Sequence, residues 1–177
     1  SQIEEHHTVR KQAGMFDVSH MVIIDISGEQ AVPFCRYLLA NDIAKINNQN
    51  KALYTLMLNQ QGGIIDDLII YYLQKNRFRL VTNAATREKD WAWIQQQSQA
   101  FNVELQPRED RAMIAVQGPY AREAANQALQ GKLQVDNLTK LDAFECYYDN
   151  NYLIARTGYT GEDGYEITLP AEQAGEL

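Results

Sequence analysis

Two adjacent carboxylates, Asp66 and Asp67, interrupt an apolar, β-branched run: Gly62-Gly63-Ile64-Ile65-Asp66-Asp67-Leu68-Ile69-Ile70-Tyr71-Tyr72-Leu73. A glycine pair followed by such a run reads as a turn entering a strand. Successive strand side chains face opposite ways. Asp66 therefore shares a face with Ile64, Leu68, Ile70 and Tyr72, and Asp67 with Ile65, Ile69 and Tyr71. Aliphatic neighbours before and after are expected to leave at least one carboxylate partly buried. An unpaired buried charge costs on the order of several kcal/mol or shifts its pKa. A chain carries that penalty where something compensates it, and a ligand is one such compensation. The competing reading is a pair of exposed edge-strand charges that discourage aggregation.

Residues 157–166, Thr-Gly-Tyr-Thr-Gly-Glu-Asp-Gly-Tyr-Glu, are the second place where chemistry is expected. Glycines at 158, 161 and 164 recur every third residue without the spacing of a dinucleotide or P-loop motif, and no Lys-Ser or Lys-Thr follows. Phosphate cradling is therefore a poor reading. Glycine lets a backbone take positive φ and approach another object closely. Glu166 follows in a strand whose opposite face carries Tyr165, Ile167 and Leu169. A carboxylate and the Tyr159 phenol beside such a turn suit a planar, nitrogen-rich ligand, whose amidine-like edge would donate a pair of hydrogen bonds. Standing alone, the loop reads equally as a solvated turn before an edge strand.

The elements that must hold these groups follow from pattern. Strands are expected over residues 21–26, 52–58, 64–73, 77–82, 101–106, 112–116, 142–148 and 152–156, with a last strand carrying Glu166. Helices are expected where Val32, Cys35, Leu38 and Leu39 repeat, where Trp91, Trp93 and Ile94 repeat, and where Ala121, Ala124, Ala125, Ala128 and Leu129 form one stripe. The first should open on a capping box, Ser27 to Gln30; the second on Thr86; the third on Gly118-Pro119, ending at Gly131. Residues 1–14 are helix-compatible, and a polar loop over 47–51 precedes the second strand. A four-residue loop over 59–62 would pair Leu58 with Gly63 and set Tyr54 opposite Asp67. Pairing Leu58 with Ile64 would instead move Tyr54 to the Asp66 face. Strands in runs with hairpin spacing describe an α+β fold, with mostly antiparallel sheets and packed helices. The composition changes character near residues 107–111.

Bulk properties exclude some functions. The 177 residues are 45% hydrophobic and 22% charged, with a formal net charge of -7, which argues against nucleic acid as a partner. Cys35 and Cys146 stand far apart without a CxxC partner, and His6 beside His7 is a poor helical metal pair, so no metal is expected. Reduced thiols suggest a cytoplasmic setting. No apolar run reaches about 18 residues, so no membrane span is expected. Both ends look cut, as if this were a piece of a longer protein.

Six segments appear in order: Asp17-Val18-Ser19-His20-Met21, Lys51-Ala52-Leu53-Tyr54, Gly62-Gly63-Ile64-Ile65-Asp66-Asp67-Leu68-Ile69, Asn83-Ala84-Ala85-Thr86, Val116-Gln117-Gly118-Pro119 and Gly158-Tyr159-Thr160-Gly161-Glu162-Asp163-Gly164-Tyr165-Glu166-Ile167. Together they resemble the T protein of the glycine cleavage system, a tetrahydrofolate-dependent aminomethyltransferase, over about the first half of that family's length. One departure is Asn50, where the family usually has glycine. The resemblance implies two discontinuous subdomains of a larger folate-binding protein, residues 1–20 with 107–177 and residues 21–106. It implies transfer of a one-carbon unit from the aminomethyl-lipoyl arm of H protein to tetrahydrofolate, giving 5,10-methylenetetrahydrofolate and ammonia. Asp67 would be the key carboxylate, holding negative charge beside the folate N5 and N10 and a positively charged, iminium-like intermediate. Met21, Tyr54, Tyr71, Asn83 and Tyr159 would contact the folate, and Glu166 would anchor its pterin. Asp66 would be a structural partner held by a backbone or basic group. A mitochondrial matrix setting would follow had the missing start carried a transit peptide. Competing readings are the folate-binding portion of a sarcosine or dimethylglycine dehydrogenase, and a non-catalytic folate-binding accessory protein.

Overall fold

β-branched and aromatic runs separated by turn residues make ten strands, and the computed structural model describes them within residues 1–46 and 50–177. Asn47, Asn48 and Gln49 of the expected polar loop lie outside the described residues. In chain order the elements are α1 (Gln2–Lys11), β1 (Gly14–Asp17), β2 (Val22–Ser27), α2 (Ala31–Leu38), β3 (Lys51–Leu58), β4 (Ile64–Gln74), β5 (Arg77–Thr82), α3 (Arg87–Ser98), β6 (Glu104–Pro107), β7 (Arg111–Gln117), α4 (Ala121–Leu129), α5 (Asp136–Thr139), β8 (Cys146–Tyr148), β9 (Leu153–Ala155) and β10 (Gly164–Pro170), with a closing 3-10 turn over Ala171–Glu176. The fold is α+β, as the strand and helix pattern predicts. Among the described residues no helix is long and apolar enough to cross a membrane.

The chain divides into two compact units. One joins Ser1–His20 to Asp110–Leu177, and the other is Met21–Glu109. Residues 107–109 stay with the second because the Arg108 N–H bonds to the Ile23 carbonyl at 2.8 Å and its guanidinium reaches Asp25.

In the first unit the sheet order is β1-β7-β10-β9-β8, all antiparallel. Tyr165, Ile167 and Leu169 of β10 pack with Ile114, Ile154, Ala125, Leu129 and Leu138. β1 is a strand the sequence reading passed over. Four residues are too few to show alternation, and only the register from Gly14 opposite Gln117 to Asp17 opposite Ile114 defines it. α4 begins two residues beyond Pro119 rather than on it. The reason lies in Gly118, at φ +132°, where a Cβ would sit 2.5 Å from the Gln12 carbonyl oxygen and 2.6 Å from that of Val9. Backbone packs against backbone there, so Gly118→Ala is expected to destabilise the protein by about 2–3 kcal/mol, read from urea unfolding.

In the second unit the order is β3-β4-β5-β2-β6, again antiparallel throughout. One face packs Ile24, Ile26, Leu68, Ile70, Phe78 and Leu80 against Phe34, Cys35 and Leu38 of α2 and Ile94 of α3, with Trp91 and Trp93 packed alongside. The expected capping box at α2 does not form. Helical residues start at Ala31, and the Gln30 side-chain oxygen accepts instead from the Asn102 N–H. Thr86 takes the N-cap position of α3 as expected, but its side chain makes no capping bond, because its hydroxyl is committed elsewhere. Asn50, standing where the family has glycine, takes φ +69°, a conformation asparagine tolerates better than most residues. The other face carries a buried ion cluster. Asp25 accepts two bonds from Arg79, at 2.6 and 2.9 Å, with Arg108 at 2.8 Å and Arg77 at 3.4 Å.

Candidate functional site

The β3–β4 hairpin decides where the two central carboxylates point. Leu58 pairs with Ile64, not with Gly63 as expected, and the loop is one residue longer than the predicted four. The Asn59 side-chain oxygen organises that loop by accepting the N–H groups of Gln61 and Gly63 at 3.0 and 2.8 Å. Plain alternation from that pair would place Tyr54 on the Asp66 face. It does not, because the register slips between Met57 and Leu58: Met57 pairs with Asp66, and Ile65 is an extra residue. This bulge restores the parity, so Tyr54 pairs with Ile69 and stands on the Asp67 face. The Lys89 ammonium donates to the Ile65 carbonyl at 2.6 Å and holds the bulge from α3.

Asp67 is thereby held by two neutral donors. The Tyr54 hydroxyl donates to one carboxylate oxygen at 3.1 Å, and the Asn83 amide donates to the other at 3.3 Å and to the Asp67 carbonyl at 3.1 Å. The bond to Asp67 raises the Tyr54 phenol above its ordinary value, so the phenol remains a donor. Among the described residues no Lys or Arg pairs with Asp67. The charge lies half-buried and unneutralised, a setting that favours a cationic or proton-bearing ligand atom.

Asp66 faces the helix-covered side and is the buried member of the pair. It accepts the Asn83 backbone N–H at 3.2 Å, the Asn83 amide at 3.0 Å and the Thr86 hydroxyl at 3.0 Å. A backbone donor was expected. The basic alternative is replaced by Asn83, Thr86 and the carboxyl of Asp90 in the first turn of α3. Burial opposes the ionised form of Asp66, but those hydrogen bonds outweigh it and hold its carboxyl below the ordinary value. Asp90 shifts the other way. Burial first, and then the neighbouring Asp66, pushes it up to about 6.

Asp90 was missed from sequence. It lies one helical turn after Thr86, a spacing visible in the sequence, but nothing there marked that face as buried.

The first unit holds the second group of residues. Glu166 of β10 is buried, its register setting Ala115 on one side and Ala155 on the other. Its hydrogen-bond donor is the Thr157 hydroxyl. Burial raises the Glu166 carboxyl, and Thr157 opposes that shift. The loop before it is locked. The Arg156 guanidinium grips Asp163 at 2.8 and 3.0 Å, Arg10 holds Glu162 at 2.7 Å, and the buried Gln117 amide donates to the Thr157 carbonyl at 3.0 Å. The Gln117 oxygen accepts from the Thr160 hydroxyl at 2.9 Å. Of the three loop glycines only Gly161, at φ +77°, needs positive φ; a Cβ on Gly158 would collide with the Gln117 side chain, and one on Gly164 with the Val116 carbonyl. Gln117 and Thr157 had no role assigned from sequence, since neither type marks a site without its neighbours.

Hydrogen bonds thus bring Tyr54, Asp67 and Asn83 together. Tyr71 shares the Asp67 strand face and is buried, while Met21 is half-buried just before β2. Tyr159, at 62% exposed, presents its ring outward from the locked loop. No group of three metal-ligating side chains occurs among the described residues.

One five-stranded antiparallel unit inserted in sequence into another, each carrying a carboxylate held by neutral donors, defines a two-unit α+β protein. Comparison with known proteins makes the class specific. The chain belongs to the GCVT N-terminal domain family, whose model matches residues 1–177. An aminomethyltransferase of Xylella fastidiosa (strain M12) is 53% identical over 178 residues, covering 98% of this chain and 48% of that protein. The solved structure of a glycine cleavage system aminomethyltransferase T from Bartonella henselae matches with a TM-score of 0.85 at 36% identity, over 97% of this chain and 46% of that one. The chain therefore spans about half the length of these relatives. A heterotetrameric sarcosine oxidase from Corynebacterium sp. U-96 shares the fold at a TM-score of 0.63 and 10% identity, over 98% of this chain and 85% of that one.

Proposed function

We propose that the full-length protein is the aminomethyltransferase of a glycine cleavage system. It takes the one-carbon unit from the aminomethyl-lipoyl arm of H protein and passes it to tetrahydrofolate, giving 5,10-methylenetetrahydrofolate and ammonia and leaving the lipoyl arm as its reduced dithiol. The observation that carries this reading is the Asp67 carboxylate, seated between the Tyr54 hydroxyl and the Asn83 amide without a cationic partner among the described residues. Positive charge and mobile protons arise when an amine is exchanged at a one-carbon unit. A carboxylate already oriented by two donors stabilises that charge without reorganising, and accepts a proton from a neighbouring nitrogen.

Glu166 supplies the complementary recognition. Buried, and with the Thr157 hydroxyl as its donor, it retains acceptor capacity for the paired N–H groups of a pterin edge. Tetrahydrofolate fits this donor set as substrate. Met21, Tyr71 and Tyr159 complete the proposed contacts. Cys35 and Cys146, both buried and outside any disulfide, support a reducing, cytoplasmic setting.

Tetrahydrofolate titration of the full-length protein tests the assignment. Glu166→Ala is expected to weaken binding by about 10- to 100-fold, the worth of charge-assisted hydrogen bonds. Wild-type affinity in that variant would overturn the pterin-anchoring role.

A further inference from the structure

Asp90 has no part in the reading above, yet it is 1% exposed, and neither of its carboxyl oxygens has a hydrogen-bond partner of ordinary geometry among the described residues. Its neighbour there is another acid, Asp66. Two carboxylates in contact cannot both satisfy their lone pairs, because neither brings a proton. The Thr86 hydroxyl lies close enough to lower the Asp90 carboxyl, but it does not resolve this. Its single proton is directed at Asp66, 3.0 Å away, or at the Asn83 carbonyl, 3.2 Å away.

Donor counting shows what does. An ionised carboxylate offers about four lone-pair sites. Three on Asp66 are taken, by the Asn83 N–H, the Asn83 amide and Thr86, which leaves room for one more donor. A proton on Asp90 fills that place and ends the isolation of its own oxygens. We propose that Asp90 is a positioning residue for the Asp67 carboxylate: the Asp66–Asp90 pair shares one proton, donated from Asp90, and the Asp66 thus fixed orients the Asn83 amide that donates to Asp67.

The link is short. The same Asn83 nitrogen lies 3.0 Å from Asp66 and 3.3 Å from Asp67, so turning the amide away from Asp66 takes it from Asp67 as well. The charged groups bearing on Asp90 are the Asp66 carboxylate from β4 and the Lys89 ammonium from its own helix. Lys89 is exposed and committed to the Ile65 carbonyl, so Asp66 dominates in the pocket. Burial of both acids raises the affinity of the pair for one proton above that of an ordinary carboxyl.

The proton-sharing part is independent of the folate reading, and its effect on Asp67 rests on that reading. Carboxyl carbon-13 NMR of the full-length protein, labelled at aspartate and assigned by difference with Asp90→Asn, reads the first. One carboxyl is expected to titrate at about 6 and to vanish in the variant. A titration of Asp90 near the ordinary 3.8 would overturn the proposal whatever the substrate.

Tetrahydrofolate titration against pH reads the second. Wild-type affinity is expected to fall as that carboxyl deprotonates. Asp90→Asn, with a permanent amide donor, should stay within about threefold of the wild-type maximum and lose this pH dependence. Asp90→Ala, with no donor, should bind about tenfold more weakly at every pH. Asp90→Asn retaining the wild-type pH profile would overturn the positioning role. Glu166→Ala losing no affinity in the same assay would overturn the folate reading and leave the shared proton intact.

Discussion

Asp67→Asn in the full-length protein is expected to lower the turnover of aminomethyl transfer by about 100- to 10,000-fold, the range for loss of a positioned charged or proton-accepting group. The substitution keeps size and shape but removes the negative charge. It also turns an amide NH2 toward one of two donors, because Tyr54 and Asn83 approach opposite oxygens. Asp67 is only half-buried and has no cationic partner among the described residues, so no opposite charge is orphaned. Stability should therefore stay within about 1 kcal/mol of wild type. Steady-state kinetics with lipoylated H protein and tetrahydrofolate checks the result. A turnover within about twofold of wild type, in a folded variant, would remove Asp67 from the reaction.

Asp25→Ala is expected to have the largest effect on stability, a loss of about 3–5 kcal/mol in urea unfolding. The carboxylate is buried at the centre of Arg79, Arg108 and Arg77, with both oxygens bonded to the equally buried Arg79. Removing it strips that guanidinium of its bidentate partner where water does not replace it. The double variant Asp25→Ala, Arg79→Ala should cost less than the sum of the single changes, because the second substitution removes the charge the first one stranded. pH dependence follows with a definite sign. Burial disfavours the ionised carboxyl, but Arg79 and Arg108 outweigh it and hold it below 3.8. The unfolded chain then binds the proton more readily than the native protein, so Asp25 contributes stability above 3.8 that is lost as pH falls through the native value. In Asp25→Asn this part of the acid sensitivity should disappear. An unchanged acid limb in that variant would show that Asp25 does not drive it.

The strand faces around Asp67 illustrate how far a linear reading reaches. Period-two alternation placed Asp67 with Ile69 and Tyr71, and Asp66 with Leu68 and Ile70, and the sheet keeps that division. The hairpin register was not legible to one residue. Bulge formation at Ile65 depends on Asn59 organising the loop and on Lys89 reaching the Ile65 carbonyl from a helix 24 residues away. Tyr54 reached the expected face by an unexpected route. Thr86 and Gln30 illustrate the converse. Their types and positions suited helix caps, but each side chain found a partner distant in sequence, Asp66 and Asn102 respectively. Local cap propensity amounts to about 1 kcal/mol, and a tertiary hydrogen bond to a buried carboxylate outweighs it.

Sequence by itself determined the α+β class, the alternating faces of β4, and the six ordered segments that mark the family. These depend on residue type and spacing, which need no folded partner. Tertiary structure alone decided which of the two adjacent carboxylates is buried, that Asp90 lies against Asp66, and that Asp25 is ringed by three guanidiniums. Each depends on residues tens of positions apart, and burial is a property of what surrounds a group rather than of the group. Asp67 can be picked out in the sequence, but the neutral donors that hold its charge are assembled only by the fold.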